Sequence, residues 1–235
     1  MHTLPQKLFA EFFGTFALVF VAVGAVASDQ YLRANGQPGL TTMGVATAYG
    51  LTYAILIVAL GHISGAHLNP AVTIGFWVTK RLSTLQSLFY WIAQLAGAVA
   101  ASYLVLAILP EANWRAEVLG TVTPNLAADF TRFHGMLLEG ALTFLVVFIF
   151  FATTVGEHAD RHRASGFAAG LMVSAGAIFA LPFTGASFNP ARTFGPALAS
   201  RHWTNHGVYW VGSLLGGVLA AVLYDKAFLS DRGPS

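Results

Sequence analysis

The sequence predicts an all-α membrane protein, with six transmembrane helices plus two re-entrant half-helices in an inverted 3+3 repeat, forming a single transmembrane domain over residues 1–235. Three observations carry that expectation. Hydrophobic residues make up 56% of the chain and charged residues only 9%, whereas a soluble domain carries about 25% charged residues. Six apolar runs each approach the roughly 20 residues that a hydrocarbon core requires. A ten-residue motif occurs twice, with its asparagines at positions 69 and 189.

The runs fall at about 8–27, 42–60, 85–109, 133–155, 166–182 and 207–228. The first follows Lys7 and is too long for the apolar segment of a cleaved signal, so it reads as a retained helix. With that start inside, Lys7, Lys80, Arg81, Arg161, Arg163, Lys226 and Arg232 lie on one side of the membrane, and Arg33, Arg115, Arg132 and Arg201 on the other. Lysine and arginine concentrate in cytoplasmic loops. Both termini are therefore expected in the cytoplasm, with the chain in a cell membrane, plasma or inner. A net charge of +2 without basic clusters argues against a nucleic-acid partner and for the lipid bilayer as the surrounding medium. The chain has no cysteine, which excludes disulfides, thiol catalysis and cysteine-held metal.

Residues 64–73 read Ser-Gly-Ala-His-Leu-Asn-Pro-Ala-Val-Thr, and residues 184–193 read Thr-Gly-Ala-Ser-Phe-Asn-Pro-Ala-Arg-Thr. The offset is 120 residues, and six of the ten positions are identical. Tyr90-Trp91 recurs as Tyr209-Trp210, and Gly97 as Gly216, at offset 119. Glu11 and Thr15 recur as Glu139 and Thr143 at offset 128, for which a longer connection in the second half is the expected cause. The repeats run from about 7–109 and 131–229. Because each half has three spans, the second enters the membrane inverted, and the two motifs lie on opposite sides of the bilayer. The apolar stretches after them, 71–78 and 191–199, are too short to span and read as half-helices.

Proline suits the first turn of a helix and asparagine the cap before it. Asn69-Pro70-Ala71 and Asn189-Pro190-Ala191 thus each start a half-helix. Two such helices entering from opposite sides bring their positive dipole ends together near the midplane, with the Asn69 and Asn189 amides between them. That arrangement donates hydrogen bonds to water oxygen and repels cations. Irregular backbone at such depth belongs beside a wet cavity or inside protein. Gly65, Ala66 and His67, and Gly185, Ala186 and Ser187, would line the path with carbonyl acceptors. A single copy would read equally well as a capped turn; two copies in matching motifs favour a pore.

Arg192 replaces Val72 between the two motifs. A charge in a short embedded segment is costly and points to function. One turn beyond Asn189 it is placed to repel cations and hydronium at the outer mouth and to donate to solute oxygen; the bland alternative is an arginine reaching the headgroups. Glu11 and Glu139 read either as a proton relay or as acceptors that hold the re-entrant loops by their backbone N–H groups, and the second reading fits better. His67 is placed to face the inner vestibule. His158 and His162 belong to a charged loop at 156–164 with Asp160 and Arg161. No histidine has a metal-ligand spacing, and nothing calls for a cofactor. Ala93/Gly97, Gly166/Gly170 and Gly212/Gly216, each four apart, mark faces where helices approach closely.

The motif at 61–73, the Asn189-Pro190-Ala191-Arg192 run, the two glutamate segments and the two Tyr-Trp segments together resemble the aquaporin, or major intrinsic protein, family over nearly the whole chain. The resemblance implies a right-handed bundle that assembles as a homotetramer with one pore per subunit. It also implies passive conduction of water and small uncharged solutes without catalysis, and exclusion of protons and ions. It further places a four-residue filter at Tyr49, Ala177, Ala186 and Arg192. Strict water channels of that family usually have phenylalanine at the first of these positions and histidine at the second. Glycerol channels usually have two aromatic residues and an aspartate after the arginine. Thr193, Ala197, Tyr209 and Trp210 are similar to the water branch, while the two alanines imply a wider constriction and a leak of glycerol or urea. Alternatives are a broader glycerol or urea facilitator, an ion channel or secondary transporter, and a junction-forming structural protein.

Overall fold

The computed structural model describes residues 2–109, 124–155 and 163–229. In chain order the helices are α1 (Leu4–Ala34), α2 (Thr41–Ser64), α3 (Pro70–Val78), α4 (Thr84–Ile108), α5 (Arg132–Thr154), α6 (Arg163–Thr184), α7 (Pro190–Ser200) and α8 (His206–Tyr224), the last running into a π-helical turn, Asp225–Leu229. Six of these are long and apolar enough to cross a membrane. The chain is an integral, multi-pass membrane protein. Large apolar side chains such as Phe9, Ile55, Ile92, Leu171 and Leu219 point outward, as they should where lipid rather than water is the solvent.

The first run was expected to end near residue 27, but α1 continues to Ala34. Its last two turns, Ser28–Ala34, are polar, and an Asp29–Arg33 ion pair one turn apart braces them at 2.9 Å. Asp29 also accepts from the Thr41 N–H that opens α2. At the other end, Thr3 and Gln6 form a reciprocal capping box ahead of the apolar stretch, with Pro5 in the first turn. This overrun corrects the expectation about the repeat. The extra length lies in the first half, because α1 has 31 residues and its counterpart α5 has 23. That difference of eight equals the excess of the glutamate offset, 128, over the motif offset, 120.

The two halves pack in the same way. α1 lies on α4, and α5 on α8; α2 and α6 join the halves. Each half-helix packs on the third span of the other half, α3 on α8 and α7 on α4, so the halves interlock. The small residues marked in the sequence lie at these contacts. A Cβ at Gly97 would strike the Phe12 carbonyl of α1, one at Gly166 or Gly170 the backbone of α2, and one at Gly212 or Gly216 the backbone of α5. His158, Asp160, Arg161 and His162, and the orienting residues Arg115 and Arg232, lie outside the described residues.

Candidate pore

The two re-entrant segments have matching backbones. Gly65, Ala66 and Leu68 have φ of 92°, 47° and 52°, and Gly185, Ala186 and Phe188 have 74°, 51° and 53°. Left-handed conformation is easy for the two glycines, which end α2 and α6, but costs roughly 1–3 kcal/mol at each of the four other residues. The buried glutamates offset that strain. Glu11 accepts from the backbone N–H of His67 and Leu68 at 2.9 and 2.7 Å, and from the Ser64 hydroxyl at 2.6 Å. Glu139 accepts from Ser187 and Phe188 at 3.0 and 2.7 Å, and from the Thr184 hydroxyl at 2.6 Å. Tyr90 and Tyr209 donate to the carbonyls of Ser64 and Thr184, each at 2.8 Å. The Tyr-Trp repeat therefore fixes the ends of α2 and α6.

Each asparagine is held at both ends of its side chain. The Asn69 Oδ1 caps α3 by accepting from Ala71 N at 2.8 Å, and the Asn189 Oδ1 caps α7 by accepting from Ala191 N at 3.0 Å. The amide nitrogens cross between halves: Asn69 Nδ2 donates to the Phe188 carbonyl and Asn189 Nδ2 to the Leu68 carbonyl, both at 2.8 Å. An amide NH₂ has two hydrogens, so this crossing uses one from each side chain and holds the other in a fixed direction. The sequence pointed to these amides but not to their exchange.

Tyr49, Ala177, Ala186 and Arg192 are all buried. The Arg192 guanidinium carbon lies 5.2 Å from the centre of the Tyr49 ring, within range of a cation–π contact. Its buried Nε and Nη1 have no hydrogen-bond partner among the described residues. Tyr49 donates its hydroxyl to the Ser187 carbonyl at 2.8 Å. One turn further along α2, Tyr53 donates to the His67 carbonyl at 3.2 Å. Tyr53 was not expected at this site, although its place four residues after Tyr49 was a usable signal.

The His67 side chain does not face a vestibule. It is buried, 4.4 Å from the Phe76 ring and 5.4 Å from the Tyr90 ring, with Nδ1 3.1 Å from the Thr73 hydroxyl. The carbonyl, not the imidazole, is what His67 presents to Tyr53. In the second half Ser187 makes the corresponding contact with Thr193. Gln94, also unanticipated, donates to Glu11 at 2.8 Å and to Thr73 at 2.9 Å.

Six spans around two half-helices that meet at their capped N-termini define a transmembrane channel. A family model described as "Major intrinsic protein" matches residues 2–224, and the chain belongs to that family of channels for water and small solutes. It is 37% identical to Aquaporin-4 of Mus musculus over 94% of this chain and 67% of that protein. It is 40% identical to the lens fiber major intrinsic protein of Oryctolagus cuniculus, over 94% and 80%. It is also 40% identical to Aquaporin TIP4-4 of Zea mays, over 97% and 88%. Among solved structures, the aquaglyceroporin from Plasmodium falciparum superposes with a TM-score of 0.83 at 23% identity, covering 97% of this chain and 98% of that one. At that identity the superposition speaks to the fold.

Proposed function

We propose that the protein is a passive water channel that excludes protons and ions and lets small uncharged solutes such as glycerol or urea through slowly. One observation carries this reading: two buried Arg192 N–H donors without partners among the described residues, one turn of α7 beyond Asn189 and its crossed amide. Unpaired buried donors are costly, and water or a solute hydroxyl or carbonyl oxygen in the path would satisfy them. The converging helix N-termini and the guanidinium oppose cations and hydronium. Gly65, Ala66, His67, Gly185, Ala186 and Ser187 supply acceptors on either side, and Glu11 and Glu139 hold the two loops. Alanine at 177 puts a smaller side chain there than the histidine usual in a strict water filter, and Ala186 adds little bulk beside it.

The same reading makes the chain one transmembrane unit of two inverted halves, with both termini cytoplasmic in a plasma or inner membrane. It assembles as a homotetramer with one pore per subunit. Stopped-flow shrinkage of proteoliposomes against sorbitol, with a pH-sensitive dye inside, tests the proposal. Water flux should rise well above that of protein-free vesicles with a low activation energy, and no proton leak should accompany it. A proton conductance that tracks the water flux would overturn it.

A further inference from the structure

Tyr49 and Tyr53 make the same contact in opposite halves of the protein. Each donates its hydroxyl to the carbonyl two residues before an asparagine, Tyr49 to Ser187 and Tyr53 to His67. His67 and Ser187 are matching positions of the repeat, but both tyrosines stand on one helix, four residues apart on one face of α2. The helix rise places them about 6 Å apart along its axis, so the two phenols bracket the crossed asparagine pair.

From this we infer that Tyr53 forms a central constriction that sets how wide a solute the channel passes, one helical turn inward of Tyr49 and the alanine-containing filter. The inference rests on the proposed function. Both rings belong to one buried apolar cluster with Val72, Leu142, Val146 and Val173, and Tyr53 is only 2% exposed. Each phenol has a single hydrogen and gives it to a backbone carbonyl. A passing molecule therefore meets an aromatic edge and one oxygen lone pair where an open carbonyl would otherwise stand. Water, which needs one acceptor and little width, fits beside the remaining asparagine N–H groups. Small polyols and urea need more width and more partners. The tether to His67 keeps the Tyr53 ring from swinging aside, so solutes that pass Ala177 and Ala186 are held back at the asparagine pair.

The test is the ratio of glycerol to water permeability in proteoliposomes, a readout independent of how much protein inserts. Tyr53→Ala removes ring and tether and is expected to raise the ratio by about tenfold. Tyr53→Phe keeps the ring but cuts the tether, and is expected to raise it by only about two- to threefold. An unchanged ratio in Tyr53→Ala overturns the inference, as does an equal rise in both variants. If the alanine variant does not insert, Tyr53→Leu is read by the same criterion. Failure of the wild type to conduct water overturns the proposed function by itself. Tyr53 is then judged on whether Tyr53→Ala opens a glycerol flux above that of protein-free vesicles: a gain supports the inference and no gain overturns it.

Discussion

Gln94 and Ser213 stand at corresponding positions of α4 and α8, 119 residues apart, and only Gln94 reaches the glutamate of its own half. Its amide bridges Glu11 and Thr73, whereas the buried Ser213 hydroxyl has no partner among the described residues. Glu11 thus accepts from four donors and Glu139 from three. The first re-entrant loop is the more firmly held of the two.

That asymmetry predicts unequal responses to alanine. Gln94→Ala leaves Glu11 and Thr73 each short of a buried donor and should cost about 1–3 kcal/mol. Ser213→Ala removes a hydroxyl that makes no bond among the described residues and should stay within about 0.5 kcal/mol of the wild type. Thermal unfolding in detergent, followed by helical circular dichroism, checks both. Equal losses would mean that the Gln94 bridge adds nothing to the hold on the first loop.

The glutamates differ from their amides in acceptor capacity. Glu139→Gln keeps the size of the side chain but turns one acceptor oxygen into a donor facing an N–H group of the loop. Charge-assisted bonds of this kind are worth about 1.5–3 kcal/mol each, so the variant should unfold at lower temperature and lose water flux per channel. Because α7 starts only three residues after Ser187, whose N–H Glu139 binds, the filter should loosen as well and glycerol flux rise relative to water. A Glu139→Gln channel with wild-type stability and conduction would rule out the loop-holding role.

Much of this was legible in the chain, for identifiable reasons. Spans are read from length and hydropathy, and the half-helices from Asn-Pro at a cap and first turn, features that depend only on local sequence. The glutamate contacts were legible because each half repeats them. The exchange of amides between Asn69 and Asn189 was not, because it depends on how the halves interlock. The same holds for Tyr53 and Gln94, whose partners lie 14 and 83 residues away. The polar end of α1 was missed because hydropathy stops at the apolar run, while the helix continues as long as Asp29 and Arg33 brace it. The imidazole of His67 was misplaced because a residue in a left-handed loop can send carbonyl and side chain in opposite directions, which spacing does not reveal.

The contact between α2 and α6 gives a third prediction. Gly50 and Gly170 face each other so closely that a Cβ on either would strike the other's carbonyl oxygen. Gly170→Ala must push the helices apart at a cost of about 1–3 kcal/mol. Gly50 adjoins Tyr49, so the displacement should reach the filter and change solute selectivity as well as stability. Gly207, where an added Cβ meets nothing within 4 Å, is the control: Gly207→Ala should leave stability and the glycerol-to-water ratio unchanged.

The last prediction concerns the filter itself. Ala177 and Ala186 are 1% and 0% exposed, so both methyls are enclosed. Phe183 belongs to a separate ring cluster; it is 39% exposed, stacks on Phe130 with ring centres 5.4 Å apart and meets Phe179 edge to face at 6.0 Å. Tyr49 is tethered to Ser187 and is not free to move toward the two alanines. An imidazole at position 177 would add bulk and a hydrogen-bonding nitrogen beside Arg192, both of which oppose wide solutes more than water. Ala177→His is therefore expected to lower glycerol and urea flux by roughly three- to tenfold relative to water, measured in the same proteoliposomes. If the inferred Tyr53 constriction lies in series with the filter, the two share control of the flux. The effect of Ala177→His should accordingly be larger in a Tyr53→Ala background, where the filter is left as the main barrier. If the wild type already excludes both solutes while conducting water, the slow leak is absent and the alanine filter is narrow as built. If Ala177→His slows water as much as glycerol, position 177 lies outside the solute-selective part of the path.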